Sequence, residues 1–292
     1  MVGVQNSDLD GENCMVVIQP NFSKKLFARA LLGLSVCAIS TSSLAAPITP
    51  EFDSFGELSE ATWGGSGIPN NSVAITEIDI FGPIRNGAAQ AGTGETRDRP
   101  LGTITLGLSS HGRYENADEG NDGAGTFFAS AGSNVPPSST LEGATWNFNF
   151  FLDYKVADGV SSDYAYGQIA DLSFALLYDF DSAEGTAEAD HGIIDLSSLL
   201  VDGSGAIQGS QNLLFSFLGN DSSEFGITAP EFSFDPSAAG EYSFALTAND
   251  GSGELGRSAM RVNTIAEVPE PSTLALLGLG LAGIGWSRRK QA

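Results

Sequence analysis

The chain has 292 residues, with 36 Asp and Glu against 13 Lys and Arg, and a formal net charge of −23 at pH 7. So acidic a chain does not hold nucleic acid or an anionic membrane surface by electrostatics. Only two cysteines are present, which excludes a disulfide-built scaffold and leaves the core to apolar burial.

Residues 1–14 (MVGVQNSDLDGENC) are acidic and unlike a targeting segment, which makes Met15 an alternative start. Lys24, Lys25 and Arg29 then precede the apolar stretch Ala30–Ile39 and the small-residue run STSSLAA. That order is the charged region, apolar region and cleavage site of a secretory signal peptide. A cut after Ala45 places Ser43 at −3 and Ala45 at −1, and makes Ala46 the first mature residue. A lipoprotein signal ending at Cys37 is the rival reading, but Val36 before it is not small. Both cysteines, Cys14 and Cys37, lie in the part expected to be removed. The expected organisation is a signal peptide at 1–45, one domain at 46–266 and a C-terminal segment at 267–292. Between residues 46 and 268, thirty-two carboxylates stand against seven cations, a net charge of −25.

Within the domain, alternating or fully apolar segments recur between turn-forming clusters. Strands are predicted at Val73–Phe81, Thr103–Leu108, Thr145–Val156, Ile169–Phe180, Leu213–Leu218, Glu241–Thr247 and Ser258–Ile265, and weaker ones at Thr126–Ala129, Ile193–Leu196 and Phe232–Phe234. In WNFNF, Trp146, Phe148 and Phe150 share one face and Asn147 and Asn149 the other. No long helical periodicity appears before the C-terminal segment, and Ser197–Val201 is expected to form one short turn. The predicted fold is all-β, an antiparallel β-sandwich or jelly-roll-like domain. The F-D-S/P recurrence at Phe52, Phe180 and Phe234 reads as strand-end punctuation, an apolar anchor meeting a turn-forming Asp.

Chemistry-bearing patterns are few. His111 (SHGRY) and His191 (DHGII) sit beside glycines and read as surface-loop residues; no HxH or HExxH accompanies them. Ser66 in GGSGI and Ser204 in DGSGA miss the G-x-S-x-G pattern of a nucleophile elbow. The loop from Glu115 to Gly123 brings Glu115, Asp118, Glu119 and Asp122 together with Gly turns, and its oxygens could serve calcium. The loop from Asp179 to Asp190 starts like an EF-hand and fails it at Ala183, Glu184 and Asp190. Calcium apart, no cofactor is expected. Paired carboxylates could serve a glycosidase, and Tyr164 and Tyr166, read as part of a DYAYG turn, could stack on sugars.

The last 25 residues read VPEPSTLALLGLGLAGIGWSRRKQA. Pro269-Glu270-Pro271 is followed by an apolar run from Leu274 to Trp286, then by Arg288, Arg289 and Lys290, a stop-transfer order. As a helix the run is about 20 Å long against a hydrocarbon core of about 30 Å, short for a span by length alone. It is nevertheless apolar on every face, and Gly278 and Ala282 have the small-xxx-small spacing that suits packing in lipid.

This segment resembles the PEP-CTERM sorting signal of exported bacterial proteins. The resemblance implies that Val268, Pro269, Glu270 and Pro271 form the recognition and processing element, Leu274–Trp286 a membrane helix, and Arg288, Arg289 and Lys290 the retention charges. It implies a partner, an exosortase-type membrane enzyme, and transient anchoring in the inner membrane before release to the cell surface or extracellular matrix. It also implies an association with exopolysaccharide and biofilm. The reading is then a non-enzymatic, surface-sorted structural protein that binds no nucleic acid. Two alternatives stand beside it: a secreted carbohydrate-binding module or glycoside-active enzyme, and a calcium-dependent adhesin.

Overall fold

A computed structural model describes residues 46–83, 98–135, 140–200 and 205–266. In chain order the strands are Ser54–Gly56 (β1), Val73–Pro83 (β2), Asp98–Gly112 (β3), Gly120–Asn121 (β4), Thr126–Ser130 (β5), Ser133–Asn134 (β6), Gly143–Ala144 (β7) and Trp146–Val156 (β8). A helix, Ser162–Ile169 (α1), leads to Ser173–Tyr178 (β9), Gly192–Asp195 (β10), Ile207–Gln211 (β11), Ile227–Thr228 (β12), Gly240–Asp250 (β13) and Gly253–Ile265 (β14).

Two sheets carry the fold. One runs β1-β2-β3-β8-β11 and the other β12-β10-β9-β13-β14-β5-β4, while β6 and β7 form a small hairpin. Strand alternation builds the layer between them. Ile104, Leu106 and Leu108 of β3 and Phe148, Phe150, Leu152 and Tyr154 of β8 meet Leu176 and Tyr178 of β9, Phe244 and Leu246 of β13, and Met260 and Val262 of β14 in one buried cluster. Phe148 stacks on Phe244 across the sheets with ring centroids 4.6 Å apart. Trp146 closes one end against Phe234, Tyr242 and Phe244.

Each sheet also covers part of its outer face. On the five-stranded sheet, Ala61 and Trp63 pack over Val73, Ile75 and Phe151. Trp63 adopts φ +55°, an uncommon conformation for a bulky side chain. It is held there by its indole N–H on the Pro69 carbonyl at 2.8 Å and by the Gln208 Oε1 on its backbone N–H at 2.7 Å. On the seven-stranded sheet, Ile48 packs over Leu177, Ala245 and Ala259.

The predicted sandwich is thus seen as two facing sheets with no closed barrel, with several corrections. β14 and β5 pair in parallel, so the larger sheet is mixed, and five strands against seven depart from an eight-stranded jelly roll. The DYAYG segment, Asp163–Gly167, is not a turn: Ser162–Ile169 is helical, with Ser161 extended at the N-cap and Ala165 and Ile169, four apart, buried. Leu213–Leu218 is not a strand. Phe215 N–H donates to the Asn212 carbonyl and Leu218 N–H to that of Phe215, a run of tight turns that buries Leu213 and Leu218. Phe232–Phe234 is also outside any strand. The expected punctuation holds in part: Asp181 and Asp235 accept from the backbone two residues on, whereas Asp53 accepts from Glu77 on the neighbouring strand. Phe180 and Phe234 pack on each other at 5.8 Å.

Candidate functional site

The predicted cleavage residues Ser43 and Ala45, the processing element Val268–Pro271, the apolar run and Arg288, Arg289 and Lys290 all lie outside the described residues. Ala46, the expected first mature residue, is described: its carbonyl accepts from Glu188 N–H at 3.1 Å. Among the described residues no helix is long and apolar enough to cross a membrane.

The acidic loop folds around its own backbone. Asp122 Oδ1 accepts from the N–H groups of Ala124 (2.8 Å) and Thr126 (3.0 Å), which hold its carboxyl below the ordinary value against a desolvation that pushes it up. Glu115 and Asp118 are exposed. Glu119 leans onto β3, where a methyl group added at Gly112 would stand 3.5 Å from its Oε1. Desolvation raises the Glu119 carboxyl to about 7. Among the described residues, no three His, Cys, Asp or Glu side chains stand together so as to hold a metal ion.

Both histidines correct the surface-loop expectation, since each is buried. His111 occupies β3 on the face opposite the main core. Its Nδ1 and both amide atoms of Asn149 are buried without a hydrogen-bond partner among the described residues. Burial lowers the His111 pKa to about 4, with the Asn149 amide pulling the other way.

These two groups predict opposing pH responses. The folded state withholds a proton from His111 between about pH 4 and 6.5, so stability from this group rises with pH across that window and is lost on acidification. Glu119 retains a proton between 4.5 and about 7, so its contribution falls as pH rises. The stability of the wild-type protein in denaturant titrations should therefore rise less steeply between pH 4.5 and 6.5 than that of a variant in which Glu119 cannot titrate. Glu119→Gln should unmask the His111 slope, up to about 3 kcal/mol at 1.36 kcal/mol per pKa unit. A His111→Asn exchange that leaves the pH profile of Glu119→Gln unchanged would contradict the buried, proton-poor His111.

His191 belongs to a second polar cluster, assembled only through the pairing of β13 with β9. Its Nε2 lies 2.9 Å from Ser243 Oγ, and its Nδ1 lies 3.0 Å from the Ala187 carbonyl. Asp179 Oδ2 is 3.3 Å from Ser243 Oγ and 3.8 Å from His191 Nε2. Burial pushes the Asp179 carboxyl up, against the pull of His191. Serine, histidine and aspartate are together, but not wired for acyl transfer. A catalytic triad sets the carboxylate on the histidine nitrogen remote from the serine, and here the Ala187 carbonyl takes that nitrogen while Asp179 sits on the serine side. Ser243, His191 and Asp179 are 3%, 4% and 1% exposed, so no substrate reaches the hydroxyl. The cluster ties β9 and β13 to the turn before β10.

Among the described residues, a groove of about 400 Å³ lies where the segment before β1 and the middle of β2 meet the start of β14. Phe52, Thr76, Ile78 and Gly256 line it, with Glu51, Asp53, Glu77 and Asp79 along its length. Part of that charge is already engaged: Asp53 accepts from Glu77 N–H and Asp79 from Thr103 Oγ1, each at 2.9 Å. Arg257 at its end is held by Glu188 (2.9 Å) and Glu254 (2.5 Å). Tyr166, expected in an exposed turn, instead donates from its hydroxyl to the Tyr154 carbonyl at 3.3 Å from helix α1.

A β-rich domain that ends on a strand at Ile265 thus leads into the C-terminal segment at residue 267. Residues 267–290, about a twelfth of the chain, match the PEP-CTERM protein-sorting motif, so the chain carries that sorting segment at its C-terminal end. That motif implies an exported protein, recognised and sorted by an exosortase-type membrane enzyme after transient anchoring. No curated protein and no solved structure matches the chain.

Proposed function

We propose that the domain at 46–266 is non-catalytic cargo, delivered by the sorting motif to the cell surface, where it is a structural component of the exopolysaccharide matrix. The observation that carries this reading is continuity. β14 ends at Ile265 and the motif begins at residue 267, so what is sorted is this sandwich itself. Two features support the absence of catalysis: the Ser-His-Asp cluster is closed to solvent, and the groove carboxylates Asp53 and Asp79 are bonded within the fold. A net charge of −25 over residues 46–268 suits a soluble protein that stays dispersed in a hydrated gel.

The test is the fate of a variant carrying Pro269→Ala, Glu270→Ala and Pro271→Ala in the native host. The reading expects wild-type protein in the matrix fraction and the variant retained with the membranes. Equal amounts of both in the matrix would contradict it. Carbohydrate binding is a second reading, favoured by one observation, the groove with Phe52 among its carboxylates. It expects the protein to be retarded in gels cast with the host polysaccharide, and Phe52→Ala to lose that retardation.

A further inference from the structure

One buried cation of this acidic domain stands without an acid. Between residues 46 and 268, seven cations face thirty-two carboxylates. Among the described residues, Lys155 pairs with Glu60, Arg257 with Glu188 and Glu254, and Arg261 with Glu241, while Arg99 donates to the Gly159 carbonyl. Arg113 does neither, although it alone of the five is buried, at 9% exposed. Its Nη1 is enclosed with no hydrogen-bond partner among the described residues. Glu115, two residues on, is exposed, and Glu142, beside Gly143, accepts from Ser133 Oγ at 2.6 Å. A buried guanidinium is rarely left unpaired, because taking it out of water without a counter-charge is costly.

What surrounds this guanidinium is largely aromatic. Its central carbon lies 4.5 Å from the centre of the Tyr114 ring and 5.5 Å from that of Phe215, so both neighbours offer ring faces and no counter-charge. Backbone forms another wall, since a methyl group added at Gly143 would overlap Nη1. Tyr114 adopts φ +68° and is held by its hydroxyl, which donates to the Leu141 carbonyl at 2.7 Å. Phe217 stacks on Phe215 with centroids 5.7 Å apart and continues the aromatic wall. Tyr114, Phe217 and Leu141 are 38%, 40% and 68% exposed, so an accessible apolar rim borders the buried cation.

A guanidinium so placed selects its partner by charge and shape. One cation neutralises one negative charge, and the −25 of residues 46–268 repels anything more highly charged. A carboxylate carries that single charge and is planar, so its two oxygens can meet the guanidinium fork side by side. A neutral ligand leaves the cation uncompensated. The apolar rim in turn suits a flat body rich in C–H groups beside the carboxylate, which a pyranose ring offers and a small organic acid does not.

We propose that Arg113 anchors a carboxylate-bearing sugar, a uronic acid, with the acid on the guanidinium and the ring against Tyr114 and Phe217. This deepens the proposed function, and rests on its matrix reading for the sugar as carrier of the acid. The acids it takes are isolated uronate residues, since a dense run of them meets the repulsion of the acidic domain. The site shares no residue with the groove beside Phe52.

The test titrates the full-length protein in detergent, by calorimetry, with three probes: a glucuronic acid–glucose disaccharide, its methyl ester, and acetate. The proposal expects the acid disaccharide to bind at least about tenfold more tightly than its ester and than acetate. Arg113→Lys, which keeps the charge without the fork, should weaken the acid disaccharide several-fold. Phe217→Ala, at an exposed ring, should weaken the disaccharide and leave acetate unchanged. Equal binding of acid and ester overturns the carboxylate contact. Equal binding of acid disaccharide and acetate overturns the sugar and assigns the site to a free organic acid. No binding of any probe overturns the site, as does unchanged affinity in Arg113→Lys. The matrix test separates this inference from the reading it rests on. Protein sorted to the matrix but without affinity for the acid disaccharide sinks the site alone. Affinity for it, with the variant substituted at Pro269, Glu270 and Pro271 as abundant in the matrix as wild type, sinks the sorting reading and leaves the site.

Discussion

Asn212→Ala is expected to destabilise the domain by about 3–5 kcal/mol, because a single buried amide satisfies several backbone groups there. Asn212 Oδ1 accepts from the N–H of Ala144 at 2.9 Å and of Leu214 at 3.2 Å. Its Nδ2 reaches the carbonyls of Ala144 (3.1 Å) and Trp146 (2.8 Å) and the side-chain oxygen of Asn147 (2.7 Å). The residue thereby fixes the end of β11 to the start of β8 and initiates the turns that follow. Truncation leaves buried donors and acceptors with neither partner nor water, each costing about 1–3 kcal/mol. Asn212→Asp adds a distinct signature. Its second oxygen would face two carbonyls, so the folded state holds the carboxyl protonated to higher pH than the unfolded chain does. Stability of that variant should fall as pH rises above about 4, the ordinary Asp range. Chemical denaturation at pH 4 and pH 8 checks both; a loss under 1 kcal/mol for the alanine variant would contradict the bonding described.

Trp146→Ala is the second large effect, about 3–5 kcal/mol, the range for removing a large aromatic from a core. The indole is buried and packs on Phe234, Tyr242 and Phe244 with centroids 6.5, 5.8 and 6.1 Å away. Those partners come from β13 and from the loop before it, so the cavity opens at the seam between the sheets. The neighbours cannot close it, because Phe244 is already stacked on Phe148. Trp146→Phe, which retains a ring, should recover more than half of the loss. If alanine and phenylalanine variants melt alike, Trp146 is not the packing centre assigned to it.

How far the sequence could be read depended on which physical signal each segment carried. Strands that alternate or run apolar were legible, since burial of every second residue is what a sandwich demands: Val73–Pro83, Trp146–Val156 and Gly240–Asp250 lie where periodicity predicts them. Leu213–Leu218 is likewise a nearly continuous apolar run but folds as turns, because Asn212 claims the Leu214 N–H and starts the chain turning. The strand falls instead on Ile207–Gln211, whose IQGSQ carries almost no hydrophobic pattern and pairs with β8 by backbone bonds. Helix α1 was hidden by its tyrosines and glycine, although Ser161 and the Ala165/Ile169 spacing were a readable N-cap and apolar stripe.

The sites divide in the same way. The sorting motif is a contiguous string and was legible at once. The Asp179–His191–Ser243 cluster is not, since residue 243 meets 179 only through the pairing of β13 with β9. Adjacent glycines made both histidines look like loop residues; Gly112 instead ends a strand and Gly192 begins one. The groove is equally nonlocal, assembled from the segment before β1, from β2 and from the start of β14.

The central claim, that this domain is exported cargo cut free at its sorting motif, is tested most directly by intact mass in cell fractions from the native host, with and without the sorting enzyme. The account predicts a surface or matrix form that starts at Ala46 and ends near Pro269–Pro271, and its loss in favour of a tail-bearing membrane form when the enzyme is deleted. A single form that keeps its tail in the inner membrane of both strains would contradict it.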